Sequence, residues 1–143
     1  MRFMILVKAN AETEADVLPP SEDLAEMGRY NEELIEAGVM LAGEGLKSSR
    51  HGARVRFSKN GIKVTDGPFP ETKELLAGFW IIQADSKEEA LNWMRKAPFR
   101  NGEELELREI FETEDFPVDD VSRDALEKEK VWRKELAEKA AKN

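Results

Sequence analysis

The sequence predicts an α+β fold in which two strand–helix–strand halves contribute to one sheet. Three observations lead to this prediction. The apolar run at residues 3–7 and the segment at 77–84, with the apolar run Phe79–Ile82 in its centre, are typical of strands buried on both faces. Each run is followed by a segment whose apolar residues recur at helical spacing. Between the two halves, the dipeptide Asn60-Gly61 interrupts an alternating apolar pattern and predicts a β-hairpin.

The first half comprises a strand at Phe3–Val7, a polar loop at residues 9–20, a helix and a second strand at Val39–Ala42. Ser21 is expected to cap the helix, because its hydroxyl can accept a bond from an unpaired backbone N–H. Gly38 is expected to end the helix in the left-handed conformation. The helix should bury an apolar stripe of Leu24, Met27, Leu34 and Ile35.

The hairpin is the clearest local pattern in the chain. Apolar residues alternate with polar ones on both sides of Asn60-Gly61, a dipeptide that tolerates the two positive φ angles of a type I′ turn. With residues 60 and 61 as the turn, Phe57 would face Val64 and Val55 would face Asp66. This register predicts that Phe57 and Val64 form a packing pair.

The second half repeats the strand–helix–strand order. After the strand at Ala77–Ala84, Ser86 and Glu89 have the spacing of a capping box, and Pro98 stops the helix that they open. Leu105–Phe111 predicts the last strand. Two such halves fit a ferredoxin-like sheet with both helices on one face, the hairpin being an insertion.

Two helices cover only one face of this sheet, yet its central strands are apolar on both faces. The simplest cover for the second face is the same face of a second copy, which predicts a homodimer with a barrel-like centre. Residues 119–141 form a separate, weakly amphipathic helix that should pack on its own body or on the partner subunit, a dedicated partner-binding helix being the alternative. We therefore divide the chain into a domain at residues 1–116 and a helical extension at 117–143.

Composition excludes several classes of function. The 143 residues include no cysteine, which rules out disulfides, thiol nucleophiles and thiolate metal sites. The net charge is −8, and residues 119–143 contribute none of it, so an acidic domain should repel nucleic acid. The apolar run at Phe3–Val7 is too short to span a membrane and lacks the flanks of a signal peptide. A cytoplasmic protein without metal or cofactor is expected.

Asp66 is the foremost candidate for chemistry. It ends a predicted strand and precedes Gly-Pro, where an aspartate often stabilises a turn through nearby backbone amides. If it faced an apolar cleft instead, its pKa would rise and it could act as a general acid or base. The turn is the favoured interpretation from spacing alone.

Further candidates surround this position. Glu44 lies between two glycines at a strand end, where a ligand or another backbone segment can approach closely. Glu71 could be a polar partner and Lys73 an anion contact, or the two could form a surface ion pair. Tyr30 could line a cleft or pack in the core, and His51, the single histidine, lies in a basic loop where simple exposure is favoured.

The segment Asp66-Gly67-Pro68-Phe69, followed by residues 71–74 and by Gly78-Phe79, resembles the DGPF-domain proteins of the YCII-related family. The resemblance covers residues 1–116 and leaves out the C-terminal helix. Four more segments carry it, namely Met1–Met4, Tyr30–Leu34, Leu41–Leu46 and Gly52–Val55.

The resemblance implies a dimeric α+β barrel with a cleft between the subunits or beside the sheet, and with Asp66 near that cleft. Some relatives carry a histidine–aspartate pair and are suspected small-molecule enzymes, but His51 does not match the position of that pair, so the pair is not carried over. Other members lie beside, or are fused to, sigma factors of the extracytoplasmic-function group.

Two hypotheses follow, and the sequence leaves open whether the chain turns over a substrate. The first is a protein that binds or transforms a small organic molecule, with Asp66 as the acid–base group in a proton transfer such as isomerisation or dehydration. The second is a non-catalytic dimeric interaction module linked to transcription regulation, in which Asp66 only stabilises a turn.

Overall fold

The computed structural model describes residues 1–142, so that Asn143, the last residue of the predicted extension, lies outside the described residues. The chain forms two compact units, Met1–Ile110 and the residues from Phe111 onward. The first unit contains, in chain order, β1 (Arg2–Lys8), α1 (Ala11–Glu14), α2 (Ser21–Glu36), β2 (Met40–Gly45), β3 (Ala53–Ser58), β4 (Gly61–Asp66), β5 (Leu76–Gln83), α3 (Lys87–Arg95) and β6 (Leu105–Glu109).

The main sheet has four antiparallel strands in the order β2-β5-β1-β6. This is the strand order of a ferredoxin-like fold built from two βαβ halves, as predicted. The last strand of each half, β2 and β6, lies at an edge of the sheet. The central strands β1 and β5 pair along their whole length, with Ile5 opposite Trp80 and Phe3 opposite Ile82.

The hydrophobic core lies between one face of this sheet and the helices α2 and α3. Phe3, Ile5 and Ile82 are at most 1% exposed, and Leu34 of α2 packs with them. The predicted stripe of α2 is partly wrong, because Leu24 and Ile35 are exposed, whereas Tyr30 and Leu34 are the two buried residues of the helix.

The opposite face of the sheet is also apolar at its centre. Met4 pairs with Ile81 and Leu6 with Phe79, and all four side chains are half-buried in the single chain. Because successive residues of a strand point to opposite faces, these side chains lie away from the helices. The sheet therefore has a half-buried apolar strip on the face that α2 and α3 do not cover.

The segment at residues 9–20, predicted as a loop, contains the short helix α1. Asn10 accepts a bond from the Thr13 N–H at 2.9 Å, and the Thr13 hydroxyl accepts one from the Asn10 N–H at 2.8 Å. This reciprocal capping satisfies backbone donors that would otherwise be unpaired, so four residues suffice for one helical turn. Ser21 is the first residue of α2 rather than its cap, a position taken by Pro20.

The hairpin β3–β4 forms a separate two-stranded sheet, but its predicted register is wrong by two residues. Lys59 and Asn60 occupy the turn, and Gly61 begins β4 with a φ of 117°. In this register Phe57 faces Ile62 and Val55 faces Val64. The observed pairing brings all four apolar side chains together, whereas the predicted one would have set a lysine against Ile62.

The second unit contains a turn of 3-10 helix at Thr113–Asp115 and the helix α4 (Arg123–Ala140). The rings of Phe111 and Phe116 lie 5.2 Å apart, and Lys130 of the helix lies 3.3 Å from the carboxylate of Glu114. The helix begins four residues after the predicted start at Asp119 and has no buried residue.

Candidate functional site

A cavity of about 570 Å³ lies in the first unit, beside the β2 edge of the main sheet. Volumes of this size are typical of sites for small organic molecules. Its polar side chains come from three parts of the chain and are Thr13, Asp16, Asn31, Glu44 and Lys47. The larger apolar part of the lining includes Leu18, Met27, Phe79, Trp80 and Phe99.

Trp80 connects this cavity to the core. Its ring is met edge-on by Tyr30 at 5.7 Å and by Phe99 at 6.1 Å, between ring centres. Its indole Nε1 donates to the side-chain Oδ1 of Asn31 at 2.9 Å. The aromatic wall of the cavity is therefore held by two aromatic contacts and by a hydrogen bond at its polar edge.

Glu44 is the predicted site residue that lines the cavity. It lies in β2 opposite Phe79 and is exposed. Within residues 1–142 its carboxylate accepts no hydrogen bond and forms no ion pair. A carboxylate in this situation is available to a ligand.

Asp16, which the sequence did not single out, is the most heavily bonded carboxylate of the site. It accepts bonds from the backbone N–H of Ser48 at 3.0 Å, from the Ser48 hydroxyl at 2.8 Å and from Arg50 Nη2 at 2.7 Å. His51 Nε2 lies 3.2 Å from the same carboxylate and must carry a proton to donate to it. The Ser48 N–H is the main cause that holds the pKa of Asp16 far below its ordinary value, with the other donors adding to it.

Asp16 also has an unusual backbone, with a φ of 55°, the one positive φ found outside glycine in the described part of the chain. Aspartate and asparagine visit this left-handed region more readily than other side chains. The turn aims the carboxylate at the loop that precedes the hairpin. Asp16 therefore fixes this loop and borders the cavity at the same time.

The neighbouring carboxylate of Glu14 fixes the same loop. It accepts bonds from the backbone N–H of Ser49 at 3.0 Å and from its hydroxyl at 2.6 Å. The Ser49 oxygen in turn accepts a bond from the N–H of Phe69 at 3.0 Å. A chain of hydrogen bonds thus connects α1 to the segment at residues 66–69.

Gly67 allows the segment at residues 66–69 to lie close to the backbone of the loop that contains Ser49. Its N–H donates to the carbonyl of Gly52 at 2.9 Å, and the peptide bond between Gly67 and Pro68 is cis. A Cβ atom at position 67 would lie 1.8 Å from the backbone oxygen of Ser49, so no other residue fits without a shift of the backbone.

Asp66 itself ends β4 opposite Ala53, is exposed and does not line the cavity. The two other charged candidates lie farther along the chain. Glu71 accepts from Arg54 at 3.2 Å, and its own backbone N–H, with Arg54 second, lowers its pKa. Lys73 is exposed and borders a smaller cavity of about 230 Å³.

The predicted residues are thus only partly brought together. Glu44 lines the large cavity and His51 reaches it through Asp16, while Asp66, Glu71 and Lys73 lie outside its lining. Tyr30 is buried in the core, where its hydroxyl donates to the carbonyl of Trp93 at 3.0 Å and burial raises its pKa to about 12. Sequence analysis missed Asp16 and Asn31 as site residues. No motif or periodic pattern marks Asp16, and Asn31 lies in a segment that carries the family resemblance without being assigned a role there.

Residues 1–142 contain no cluster of three histidine, aspartate or glutamate side chains that could hold a metal ion. No helix in the same range is long and apolar enough to cross a membrane.

The fold and this cavity define an α+β protein of ferredoxin-like topology with a candidate small-molecule site at one sheet edge. The family model of the YCII-related domain matches residues 1–114, so the chain belongs to the YCII-related family, as the resemblance predicted. It is 35% identical over 72 residues to an uncharacterized protein of Rhizobium meliloti (strain 1021). That alignment covers 50% of this chain and 58% of the relative, so the chain spans less than two thirds of the relative's length.

Proposed function

We propose that this protein binds a small organic molecule in the cavity beside β2 and acts on it through carboxylate acid–base chemistry. The observation that carries the proposal is a largely apolar cavity of about 570 Å³ that Glu44 lines with an unpaired carboxylate. Apolar walls with a few polar groups are the usual composition of such sites. A single carboxylate can support a proton transfer without a cofactor.

The two carboxylates that line the cavity, Asp16 and Glu44, and the sequence candidate Asp66, which lies outside the lining, are not equivalent. Asp16 is a poor base, because its oxygens are bonded to several donors and its pKa is far below the ordinary value. Glu44 has oxygens without a protein partner within residues 1–142, so they can contact a ligand. Asp66, the group that the sequence favoured, is exposed in the single chain, and its role as the acid–base group stays a proposal.

Native mass spectrometry of gently purified protein tests this proposal. We compare the wild type with Glu44→Gln and Asp66→Asn, two substitutions that remove a charge with little change of shape. Loss of a retained small molecule in one variant alone, at unchanged thermal stability, would assign the ligand contact to that carboxylate. Retention of the same ligand by both variants would exclude a role for either one.

We also propose a homodimer in which the half-buried strip of Met4, Leu6, Phe79 and Ile81 is covered by the same strip of a second copy. The support is the apolar face that α2 and α3 leave open. Leu6→Lys should yield a monomer in light-scattering measurements, whereas Leu24→Lys, on an exposed position of α2, should not. A monomeric wild type would overturn this proposal. The cytoplasmic location stays a prediction.

The hairpin favours the alternative function, a non-catalytic interaction module linked to transcription regulation. Residues 47–65 contain six lysines and arginines and no acidic residue, although the whole chain is acidic. The four large apolar side chains of β3 and β4 are 52–76% exposed. If this alternative holds, wild-type protein should capture a sigma factor from a lysate and Phe57→Ser should not, while Glu44→Gln captures it normally.

A further inference from the structure

Asn31 presents a hydrogen-bond donor whose orientation the protein fixes. Its Oδ1 accepts from the indole Nε1 of Trp80, and an indole N–H can only donate. The amide therefore cannot be turned the other way, and its Nδ2 group points away from Trp80. Within residues 1–142 this Nδ2 group donates no hydrogen bond.

The unpaired Nδ2 group remains accessible. Asn31 is half-buried and lines the cavity. Throughout residues 1–142, every fully buried side-chain nitrogen or oxygen atom has a hydrogen-bond partner. Because Nδ2 has none, it is not fully buried, and it belongs to a side chain that lines the cavity. A donor kept in one orientation beside apolar walls is the kind of group that gives a ligand site its specificity.

We propose that Asn31 is a ligand-binding residue whose Nδ2 group donates to a carbonyl oxygen of a molecule with an apolar body. The apolar body would lie against Met27, Trp80 and Phe99, and the carbonyl oxygen would satisfy the free donor. This inference rests on the proposed function of the cavity and adds the class of ligand to it. Trp80 acts on the ligand through its ring and as a positioning residue for Asn31.

Asn31→Asp is the variant that isolates the donor. An aspartate at this position keeps an oxygen for Trp80 Nε1 but replaces the two N–H donors by a second acceptor. The probes are 4-phenyl-2-butanone, which carries a carbonyl oxygen on an apolar body, and 3-phenylpropylamine, which has a similar body and no carbonyl. Binding is followed in ¹⁵N–¹H NMR spectra through the side-chain amide signals of Asn31 and the indole signal of Trp80.

We expect the ketone to shift the Asn31 amide signals of the wild type. Its affinity for Asn31→Asp should be at least about tenfold lower than for the wild type, which corresponds to the loss of one hydrogen bond. The amine should not shift these signals, and the indole signal of Trp80 should be similar in both proteins without probe. Equal binding of the ketone to both proteins, or binding of the amine alone, would overturn the inference and leave the cavity as a small-molecule site. If neither probe perturbs any cavity residue of the wild type, both this inference and the proposed function fail.

Discussion

The main sheet and the hairpin differ in what surrounds their apolar side chains. In the main sheet, Phe3, Ile5 and Ile82 are at most 1% exposed, because α2 and α3 cover them. In the hairpin, the four large apolar side chains are all more than half exposed, the fractions being 52% for Val55, 76% for Phe57, 66% for Ile62 and 61% for Val64. The two sheets therefore use similar residue types in opposite environments.

This difference shows that the hairpin draws its stability from other contacts than the main sheet. A two-stranded hairpin is marginal by itself in water. Its cross-strand pairs are supplemented at the base by the bond from Gly67 to Gly52 and by the stacking of Arg54 on Phe69, 3.8 Å from the ring centre. The hairpin is therefore attached to the rest of the first unit through its base and not through its apolar face.

The same truncation in the two sheets should have very different effects. Ile82→Ala removes side-chain volume from a fully buried site and should lower the free energy of unfolding by about 2–5 kcal/mol. Ile62→Ala changes an exposed position and should stay within about 0.5 kcal/mol. Urea unfolding of both variants measures the contrast. Comparable losses would mean that the apolar face of the hairpin is covered in solution.

A substitution at the hairpin base should have an intermediate effect. Gly67→Ala would place Cβ 1.8 Å from the backbone oxygen of Ser49, and relief of this overlap should cost about 1–3 kcal/mol. Gly52→Ala is the matched control, since its Cβ would meet the same oxygen at 3.4 Å. Amide hydrogen exchange should speed up in β3 and β4 of Gly67→Ala and not in β1 or β5. Equal exchange in both sheets would contradict the assignment of Gly67 to the hairpin base.

The contrast between the buried main sheet and the exposed hairpin explains which parts of the fold the sequence predicted well. The strands of the main sheet and the helices that pack on it follow from local patterns. Burial of their side chains imposes a pattern of apolar residues that is visible within each segment. The hairpin was located by its turn residues, but its register was wrong, since Asn60-Gly61 fits two turn geometries and only the pairing of all four apolar side chains decides between them.

The candidate site was less accessible to prediction. Glu44 stood out through its flanking glycines, a local feature. Asp16 acquires its role only when a loop more than thirty positions later reaches it, and Asn31 acquires its role through Trp80, forty-nine positions away. No spacing within a single segment reports such contacts, so these two residues required the structure.

Asp16 holds the loop in front of the hairpin through its bonds to Ser48, Arg50 and His51. Because folding lowers its pKa, Asp16 contributes stability that is fully present above the ordinary carboxyl pKa of about 4 and is lost as the pH falls below it. Asp16→Asn should therefore flatten the acid side of the stability profile. Asparagine also tolerates the positive φ at this position, so the change tests the charge and its bonds rather than the backbone.

Asp66→Asn provides the control, because it removes an equal charge from an exposed carboxylate in the hairpin. Urea unfolding at a series of pH values between about 2 and 7, across the ordinary carboxyl range, should show the flattening for Asp16→Asn and not for Asp66→Asn. In Asp16→Asn, amide exchange should speed up first at Ser48 and His51, while the strands β1 and β5 keep their protection. An acid profile equal to that of the wild type would mean that Glu14 holds the loop alone. The attachment of the hairpin to the first unit would then depend on Ser49 and Gly67.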